Sequence, residues 1–355
     1  MDTKIFKLNT NEDNGAALSE CASIIKRGGL VAFPTETVYG LGGDATDADA
    51  AKKIYAAKGR PSDNPLIIHV TRPEDAEKYA VTNTLYYKLA KAFMPGPLTV
   101  ILKKKDIVPD GVTGGLSTVA VRCPSDETAR ELIKLSGTAI AAPSANRSGS
   151  PSPTCAEHVI ADLDGRIDAI LCGGTCEIGL ESTIVEARED SLILLRPGAI
   201  TADALRCVCE NVEISHAVTE MLAENERPLS PGMKYRHYAP SIPLVLVEGD
   251  ETLVQTFLVN AQNSEKCAVL CYHEELDMLR GENLIDIGEK DDIATQANRL
   301  FAALRDADKL DCDIIYAHLP KKDGLGLALY NRLIRAAAHT IIHVDNSKTV
   351  HHKSK

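Results

Sequence analysis

Lys58 and Arg60 flank a glycine in the segment Lys-Gly-Arg-Pro-Ser-Asp-Asn-Pro at 58–65, which carries the residue types of an anion site. An arginine can fork onto phosphate oxygens, and a lysine adds a mobile point charge. Gly59 permits a sharp turn, so we expect both cations to emerge on a loop between a helix and a strand. A solvated helix end is the better explanation for Lys-Gly-Arg taken alone.

A second segment, Pro-Ser-Ala-Asn-Arg-Ser-Gly-Ser-Pro-Ser-Pro-Thr at 143–154, is rich in hydroxyl and amide groups. It follows a predicted strand that ends at Ala142, and α/β proteins place ligands at such carboxyl ends. Ser144 lacks the G-x-S-x-G context of a nucleophile, and the chain has no Walker A motif. We therefore expect Ser144 and Asn146 to position a ligand, with a plain loop as the alternative.

Other polar residues lie at or near the ends of predicted strands. Pro-Thr-Glu-Thr at 34–37 closes the first strand, Arg122 ends another, and Glu-Ser-Thr at 181–183 precedes a third. His69 lies in an apolar strand, where it is either a base or a satisfied core histidine. Strand caps are the simple explanation for such residues, but their convergence predicts a shared cleft.

The elements that position these residues alternate between apolar runs and helical patterns, which predicts an α/β protein. Strands are predicted at 30–34, 66–70, 98–102, 119–122, 139–142 and 193–195. Helices are predicted at 16–27, 48–57, 85–93, 127–135 and 156–163. Asp126 and Thr154 are the predicted N-caps of the last two helices.

The second half repeats this alternation and predicts a small, doubly wound parallel sheet without a G-x-G-x-x-G phosphate loop. Its strands are predicted at 244–247, 268–272, 284–287 and 314–317, and its main helices at 293–310 and 327–339. Between the halves, Ser-Pro-Gly-Met-Lys-Tyr-Arg-His-Tyr-Ala-Pro at 230–240 concentrates aromatic and basic residues. Inert spacers have a different composition, so this linker either contacts a ligand or docks the domains.

Composition restricts the number of domains, the binding partners and the location that we expect. A chain of 355 residues favours two domains, and 44% hydrophobic with 25% charged residues is ordinary globular usage. The net charge of −11 argues against stable direct binding of nucleic acid. Ten cysteines without a secretory signal are expected to be reduced, and Cys267 to Cys271 fits a strand better than a zinc site. No long apolar run occurs, so we expect a cytoplasmic protein without membrane contact.

Together these motifs resemble the threonylcarbamoyl-AMP synthase family, in the form that has a YrdC-like domain followed by a C-terminal domain. The matching blocks occur in order along the chain: Pro-Thr-Glu-Thr-Val-Tyr-Gly-Leu at 34–41, Lys-x-Arg-Pro at 58–61, Asn-Pro-Leu at 64–66, Pro-Gly-Pro-Leu-Thr at 95–99, Val-Arg-Cys-Pro at 121–124, Pro-Ser-Ala-Asn at 143–146, Glu-Ser-Thr at 181–183, Arg-Pro-Gly at 196–198 and the linker at 230–240.

The resemblance implies four segments. Residues 1–210 would form a YrdC-like catalytic domain with a twisted mixed sheet and helices, and 211–241 a linker that acts as an active-site lid. Residues 242–346 would form a smaller Rossmann-like parallel α/β domain, followed by a tail at 347–355.

The resemblance also implies a nucleotidyltransferase that condenses L-threonine, bicarbonate and ATP, with Mg²⁺, into threonylcarbamoyl-AMP and diphosphate. The product would pass to a tRNA threonylcarbamoyl transferase for threonylcarbamoyladenosine modification of tRNA. An RNA-binding or ribosome-associated YrdC-like module is the alternative, which the acidic net charge disfavours.

Carried over by motif position, the family's site residues fall into four sets. The catalytic tetrad is Lys58, Arg60, Ser144 and Asn146. The threonine contacts are Thr37, His69, Arg122, the backbone at Ala142, and Ser182. The ATP contacts are Arg60, Asn64, Thr118, Ser144, Ser152 and Arg196. The lid residues are Tyr235, His237 and Tyr238.

Overall fold

The computed structural model describes residues 2–8, 14–220 and 238–345, together with the backbone of 351–353. It divides into two compact units. The first contains the described residues up to 148 and then 152–220. The second contains 149–151 and the described residues from 238 onward.

The first unit is built on one mixed sheet of twelve strands. Its strands are β1 Lys4–Lys7, β2 Val31–Phe33, β3 Gly40–Asp44, β4 Ile67–His69, β5 Ala80–Val81, β6 Leu98–Lys104, β7 Thr118–Arg122, β8 Ile140–Ala142, β9 Ala169–Cys172, β10 Thr183–Ala187, β11 Leu192–Arg196 and β12 Val212–Ile214. Their order is β1-β9-β2-β3-β8-β4-β7-β6-β10-β11-β12, with β5 against β6. The predicted mixed α/β fold is confirmed.

Helices flank this sheet: α1 Gly15–Lys26, α2 Ala48–Lys58, α3 Thr84–Phe93, α4 Asp110–Thr113, α5 Glu127–Ser136, α6 Ala156–Leu163 and α7 Ala202–Arg206. Asp126 caps α5 as predicted, because its side chain accepts a hydrogen bond from the backbone N–H of Ala129. The predicted cap at Thr154 is wrong by one residue. Cys155 occupies the N-cap of α6 and makes no side-chain cap.

The two faces of the central strands differ in what covers them. Ile68, Val100 and Val121 belong to the largest apolar core of the unit. Ile67, Ile101 and Ala120 belong to a small cluster on the other face. Since side chains alternate along a strand, the second face is also the one to which His69 and Arg122 belong.

Strand β3 escaped sequence-based prediction because it reads Gly-Leu-Gly-Gly-Asp, and glycine is depleted in strands. Gly42 has a physical reason to be glycine. A Cβ at this position would lie 2.6 Å from Cγ2 of Ile140 and 2.8 Å from Cε1 of Phe33. The missing side chain therefore allows the neighbouring strands to pack against the backbone of β3.

The second unit contains the predicted doubly wound sheet, in the order β15-β14-β16-β13-β17-β18. Its strands are parallel except for β18, which pairs antiparallel with β17. The elements are β13 Leu244–Gly249, α8 Glu251–Ser264, β14 Cys267–Cys271, α9 Leu276–Leu279, β15 Leu284–Asp286, α10 Ile293–Ala307, β16 Ile314–His318, α11 Gly326–Ala336, β17 Ile341–Val344 and β18 His351–Lys353. Within the described ranges, no helix has the length and apolar character needed to cross a membrane.

Candidate functional site

Strand register places the polar residues of the first unit on one face of the sheet. His69 is the partner of Arg122, and Arg122 is the partner of Thr99 on the next strand. Directly paired residues point to the same face, so these three side chains form a row across β4, β7 and β6. Ser182 joins this row, since its hydroxyl lies 2.7 Å from that of Thr99. We call this row, with Arg196, the arginine end.

A second polar group lies further along the same strands. Thr118 is on the same face as Arg122 at the other end of β7, four residues away, which corresponds to roughly 13 Å. Ala142 pairs with Ile67, so the loop that follows β8 runs toward the start of β4. This lysine end contains Lys58, Arg60, Asn64, Thr118, Ser144 and Asn146.

The surface between the two ends is apolar and small. Ile67, Ile101 and Ala120 lie between the polar rows and are only 4–6% exposed. Ala142 borders the same surface. These strand residues form one buried apolar cluster with Ile184, Leu195 and Ala217.

At the arginine end, Arg122 and Glu36 form a buried ion pair. Nη2 of Arg122 lies 2.8 Å from Oε1 of Glu36, and each side chain is 5% exposed. Burial is the largest influence on the pKa of Glu36 and would raise it, but the charge of the closely paired Arg122 and polar contacts with Arg122 and the backbone N–H groups of Glu36 and Ser125 together hold that pKa below its usual value. The close Nη2–Oε1 contact engages one edge of the guanidinium and leaves Nε of Arg122 as a buried donor without a hydrogen-bond partner among the described residues.

His69 lies beside this pair and is 4% exposed. Burial, with a further contribution from the charge of Arg122, lowers the pKa of His69 to about 3. Its Nδ1 lies 3.3 Å from the backbone carbonyl oxygen of Ile140. His69 is therefore a neutral imidazole at neutral pH, which makes it a hydrogen-bonding group and a poor general base.

Ser182 is held from two sides. Its hydroxyl contacts Thr99, and Nη2 of Arg196 donates to it over 3.1 Å. Nε of Arg196 also donates to the backbone carbonyl oxygen of Ser182 over 3.0 Å. Thr37, predicted for the same site, is fully buried, and its hydroxyl lies 2.9 Å from that of Thr35.

At the lysine end, Lys58 organises the loop after β8. It is the last residue of α2 and is 3% exposed. Its ammonium donates to the backbone carbonyls of Ser144 and Asn146 and to Oδ1 of Asn146 at 3.2 Å. Ser144 in turn donates its hydroxyl proton to the same Oδ1. The tetrad residues Lys58, Ser144 and Asn146 therefore form one hydrogen-bonded unit.

The prediction that both cations emerge on a loop is corrected by their burial. Arg60, like Lys58, is buried, at 9% exposure, and it donates to the backbone carbonyls of Asn64 and Pro65 over 3.4 and 3.3 Å. These contacts fold the arginine back along its own loop. Asn64 is 2% exposed, and its Oδ1 has no hydrogen-bond partner among the described residues.

Ser152, predicted as a nucleotide contact, donates to Oε1 of Glu181 over 2.6 Å. Ser152 is 1% exposed and Glu181 is 6% exposed, so this is a buried, charge-assisted bond. It joins the end of the loop after β8 to the residue that precedes Ser182. The loop that bears Ser144 is thereby tied to the arginine end.

Comparison with known proteins decides the family. A family model described as "Telomere recombination" matches residues 23–198, and one described as "Threonylcarbamoyl-AMP synthase, C-terminal domain" matches residues 200–338. A threonylcarbamoyl-AMP synthase from Bacillus subtilis (strain 168) is 43% identical over 348 residues, covering 96% of this chain and 100% of the relative. The chain belongs to the threonylcarbamoyl-AMP synthase family.

Other members of the threonylcarbamoyl-AMP synthase family extend this match. The enzyme from Pyrococcus abyssi (strain GE5 / Orsay) is 44% identical over 332 residues, covering 91% of this chain and 94% of the relative. The crystal structure of P. abyssi Sua5 complexed with L-threonine is similar with a TM-score of 0.88 and 41% identity, covering 97% of this chain and 100% of that chain. The resemblance inferred from the motifs is confirmed.

For this threonylcarbamoyl-AMP synthase family member, the predicted lid is only partly within the described residues. Tyr235 and His237 lie outside them. Tyr238 is 4% exposed, and its ring centroid lies 5.2 Å from that of Phe301 in the second unit. Its φ of 63° is unusual for a residue other than glycine.

Sequence reasoning did not assign three residues that hold the site together: Glu36, Thr99 and Glu181. Each lies within a motif block described above. Glu36 contacts Arg122, Thr99 contacts Ser182, and Glu181 contacts Ser152, and all three partners are distant in sequence. Such pairings become visible only once the register is known.

Proposed function

We propose that this protein condenses L-threonine, bicarbonate and ATP to threonylcarbamoyl-AMP, with release of diphosphate and water. One observation carries the proposal. The arginine end lies on one face of the sheet, the lysine end lies where β8 ends and β4 begins, and the buried residues Ile67, Ile101 and Ala120 lie between them. This spacing suits an amino acid and a triphosphate that must meet between them.

L-threonine would bind at the arginine end. Arg122 has a buried Nε–H group without a hydrogen-bond partner among the described residues, and a substrate carboxylate can accept from it. The hydroxyl of Ser182 lies beside it, already oriented by Thr99 and Arg196. His69 would act as a neutral hydrogen-bonding partner of the substrate.

ATP would bind at the lysine end. The amine of threonine and bicarbonate form a carbamate and water, and one carbamate oxygen then attacks the α-phosphorus of ATP. The new bond is carbamate oxygen to phosphorus, and the bond to the leaving diphosphate breaks. Two anions must approach each other in this step, so the fixed charges of Lys58 and Arg60 lower its barrier.

Lys58 would act mainly through the loop that it organises. Its ammonium donates to three oxygens of Ser144 and Asn146. It would therefore hold these two residues in position and place its positive charge beside them. This is electrostatic preorganisation, which needs no covalent intermediate. Because an adenylyl group moves onto an oxygen nucleophile, the proposed reaction class is nucleotidyl transfer.

Mg²⁺ would enter as part of the substrate. In the described part of the chain, no group of three or more His, Cys, Asp or Glu side chains is placed to hold a metal ion. Two carboxylates beside the site residues are already used, Glu36 by Arg122 and Glu181 by Ser152. These residues do not fit a protein-borne metal site, so the proposed form of the nucleotide is MgATP, with the ion on the phosphate oxygens.

The product is a mixed anhydride and hydrolyses easily, which gives a cover over the site a clear purpose. The linker residues Tyr235, His237 and Tyr238 stay the predicted cover. A second enzyme that transfers the threonylcarbamoyl group to adenosine in tRNA is the proposed consumer of the product.

Mass spectrometry of the reaction tests the proposal. Purified protein is supplied with MgATP, bicarbonate carrying ¹³C and L-threonine carrying ¹⁵N. The expected product contains both labels and the adenylate moiety. A product with AMP but without the carbon label would overturn the proposed reaction.

A further inference from the structure

Glu36 lies at the arginine end but has no role in the proposed reaction. Its carboxylate contacts Arg122 at 2.8 Å, and the pair is almost completely removed from solvent. A buried ion pair of this kind is weak evidence for a contribution to stability, since desolvation offsets much of the attraction. We therefore consider a role for this ion pair other than stabilising the fold.

The backbone around Glu36 is fixed independently of the ion pair. Oγ1 of Thr35 donates to the carbonyl oxygen of Val38 over 2.6 Å and accepts from the N–H of Thr37 at 3.2 Å. The carbonyl oxygen of Glu36 accepts from the N–H of Ile178 over 2.8 Å. Glu36 is therefore a fixed point against which the longer and more flexible side chain of Arg122 can be held.

The ion pair leaves hydrogen-bonding capacity unused on the arginine. Nη2 of Arg122 is engaged by Glu36, whereas Nε is buried without a hydrogen-bond partner among the described residues. Leaving such a donor unmet is costly, and an incoming carboxylate that accepts from it recovers that cost. Arg122 is thus held in place through Nη2 while its Nε–H group stays available.

We infer that Glu36 is a positioning residue: it holds the guanidinium of Arg122 in the orientation that receives the carboxylate of the amino-acid substrate. The inference rests on the proposed function and adds a specificity-determining residue to it. Glu36 acts only through Arg122 and does not contact the reacting atoms.

The direction in which the affinity for L-threonine changes when Glu36 loses its charge tests this inference. Glu36→Gln keeps the shape of the side chain but removes its negative charge. If Glu36 were only a nearby negative charge, its removal would strengthen the binding of a carboxylate. If it positions Arg122, the removal lets the guanidinium turn away, and L-threonine binds more weakly.

The experiment measures diphosphate release and calorimetric binding of L-threonine for wild type, Glu36→Gln, Glu36→Asp and Glu177→Gln. Glu177 lines the same small cavity as Glu36, about 150 Å³ in volume, and serves as a matched carboxylate control. For Glu36→Gln we expect the KM for L-threonine to rise about tenfold or more, with the KM for ATP unchanged. Glu36→Asp should recover part of the loss, and Glu177→Gln should match wild type.

A double-mutant cycle shows whether the effect passes through Arg122. In an Arg122→Lys background, Glu36→Gln should raise the KM for L-threonine little further, because the planar guanidinium that Glu36 positions is absent from that variant. Multiplicative effects of the two changes would overturn the inference, as would a threonine KM for Glu36→Gln that is unchanged or lower. If Glu36→Gln does not fold, Glu36→Asp in the same cycle gives the answer.

The measurements distinguish a wrong role for Glu36 from a wrong proposed function. Wild-type protein that binds no L-threonine would overturn both. Threonine-dependent wild-type activity with an unaffected Glu36→Gln variant would overturn only the role of Glu36.

Discussion

The ammonium of Lys58 contacts both oxygens of Asn146, the backbone carbonyl and the side-chain Oδ1. This arrangement makes Lys58 a structural member of the lysine end as well as a charge. Lys58→Met keeps most of the aliphatic side chain but removes the ammonium that donates to these acceptors and to the carbonyl of Ser144, while Oδ1 of Asn146 still accepts from the hydroxyl of Ser144. We expect a loss of about 1–3 kcal/mol in the free energy of unfolding together with loss of diphosphate release.

Lys52 on the same helix is the matched control for this prediction. Its side chain is 76% exposed and pairs only with Asp49 on the surface. Lys52→Met should leave both the urea midpoint of unfolding and diphosphate release unchanged. A Lys58→Met protein as stable as this control would show that the contacts with Ser144 and Asn146 contribute nothing to the fold.

The depressed pKa of His69 predicts a pH dependence of stability. The unfolded chain takes up a proton on this histidine near pH 6.5, whereas the folded protein does so only near pH 3. Below pH 6.5 the unfolded state thus binds more protons, and stability falls as pH falls, by about 1.4 kcal/mol per pH unit from this group. Urea unfolding between pH 7 and pH 4 should show a shallower decline for His69→Gln than for wild type, and parallel curves would contradict the assignment.

The contact between Thr99 and Ser182 predicts a selective effect on one substrate. Thr99→Val removes a hydroxyl that helps to orient Ser182, so we expect a modest loss of stability and a severalfold higher KM for L-threonine. Thr183 is equally buried but bonds to the backbone of Ile200. Thr183→Val should lose similar stability with no change in that KM, and steady-state kinetics of both variants make the comparison. Equal KM values for the two variants would mean that Ser182 does not need Thr99.

The unpartnered Oδ1 of Asn64 predicts the opposite pattern from that of Lys58. Removing a buried acceptor that has no partner costs little, so Asn64→Ala should unfold at nearly the same urea concentration as wild type. We expect its KM for ATP to rise by about tenfold, the value of one hydrogen bond to a charged or polar ligand group. An unchanged ATP KM would remove Asn64 from the nucleotide site.

Sequence patterns predicted β4, β6, β7, β8 and β11 among the strands that bear the motifs, because those elements combine clear apolar runs with clear ends. The helix at 127–135 and its cap at Asp126 lie within one residue of α5 Glu127–Ser136. Strand β3 was missed because it is rich in glycine, and Gly42 leaves room for Phe33 on the preceding strand and for Ile140, which lies far along the chain. No local pattern records such a contact.

The site was predictable by residue type but not by environment. The motifs predicted functional roles for Lys58 and Arg60 but not their burial. The ammonium of Lys58 donates to the carbonyl of Ser144, which lies 86 residues further along the chain. Likewise, the sequence does not show that Glu36 is buried, because its contact with Arg122 forms only when β7 packs beside it in the fold. Long-range register decides both features.

Diphosphate release with each substrate withheld in turn tests the central claim most directly. The arginine end and the lysine end must both be filled before two anions can react between them. We therefore predict diphosphate only when L-threonine, bicarbonate and MgATP are all present. Diphosphate formed at the same rate without L-threonine would contradict the account.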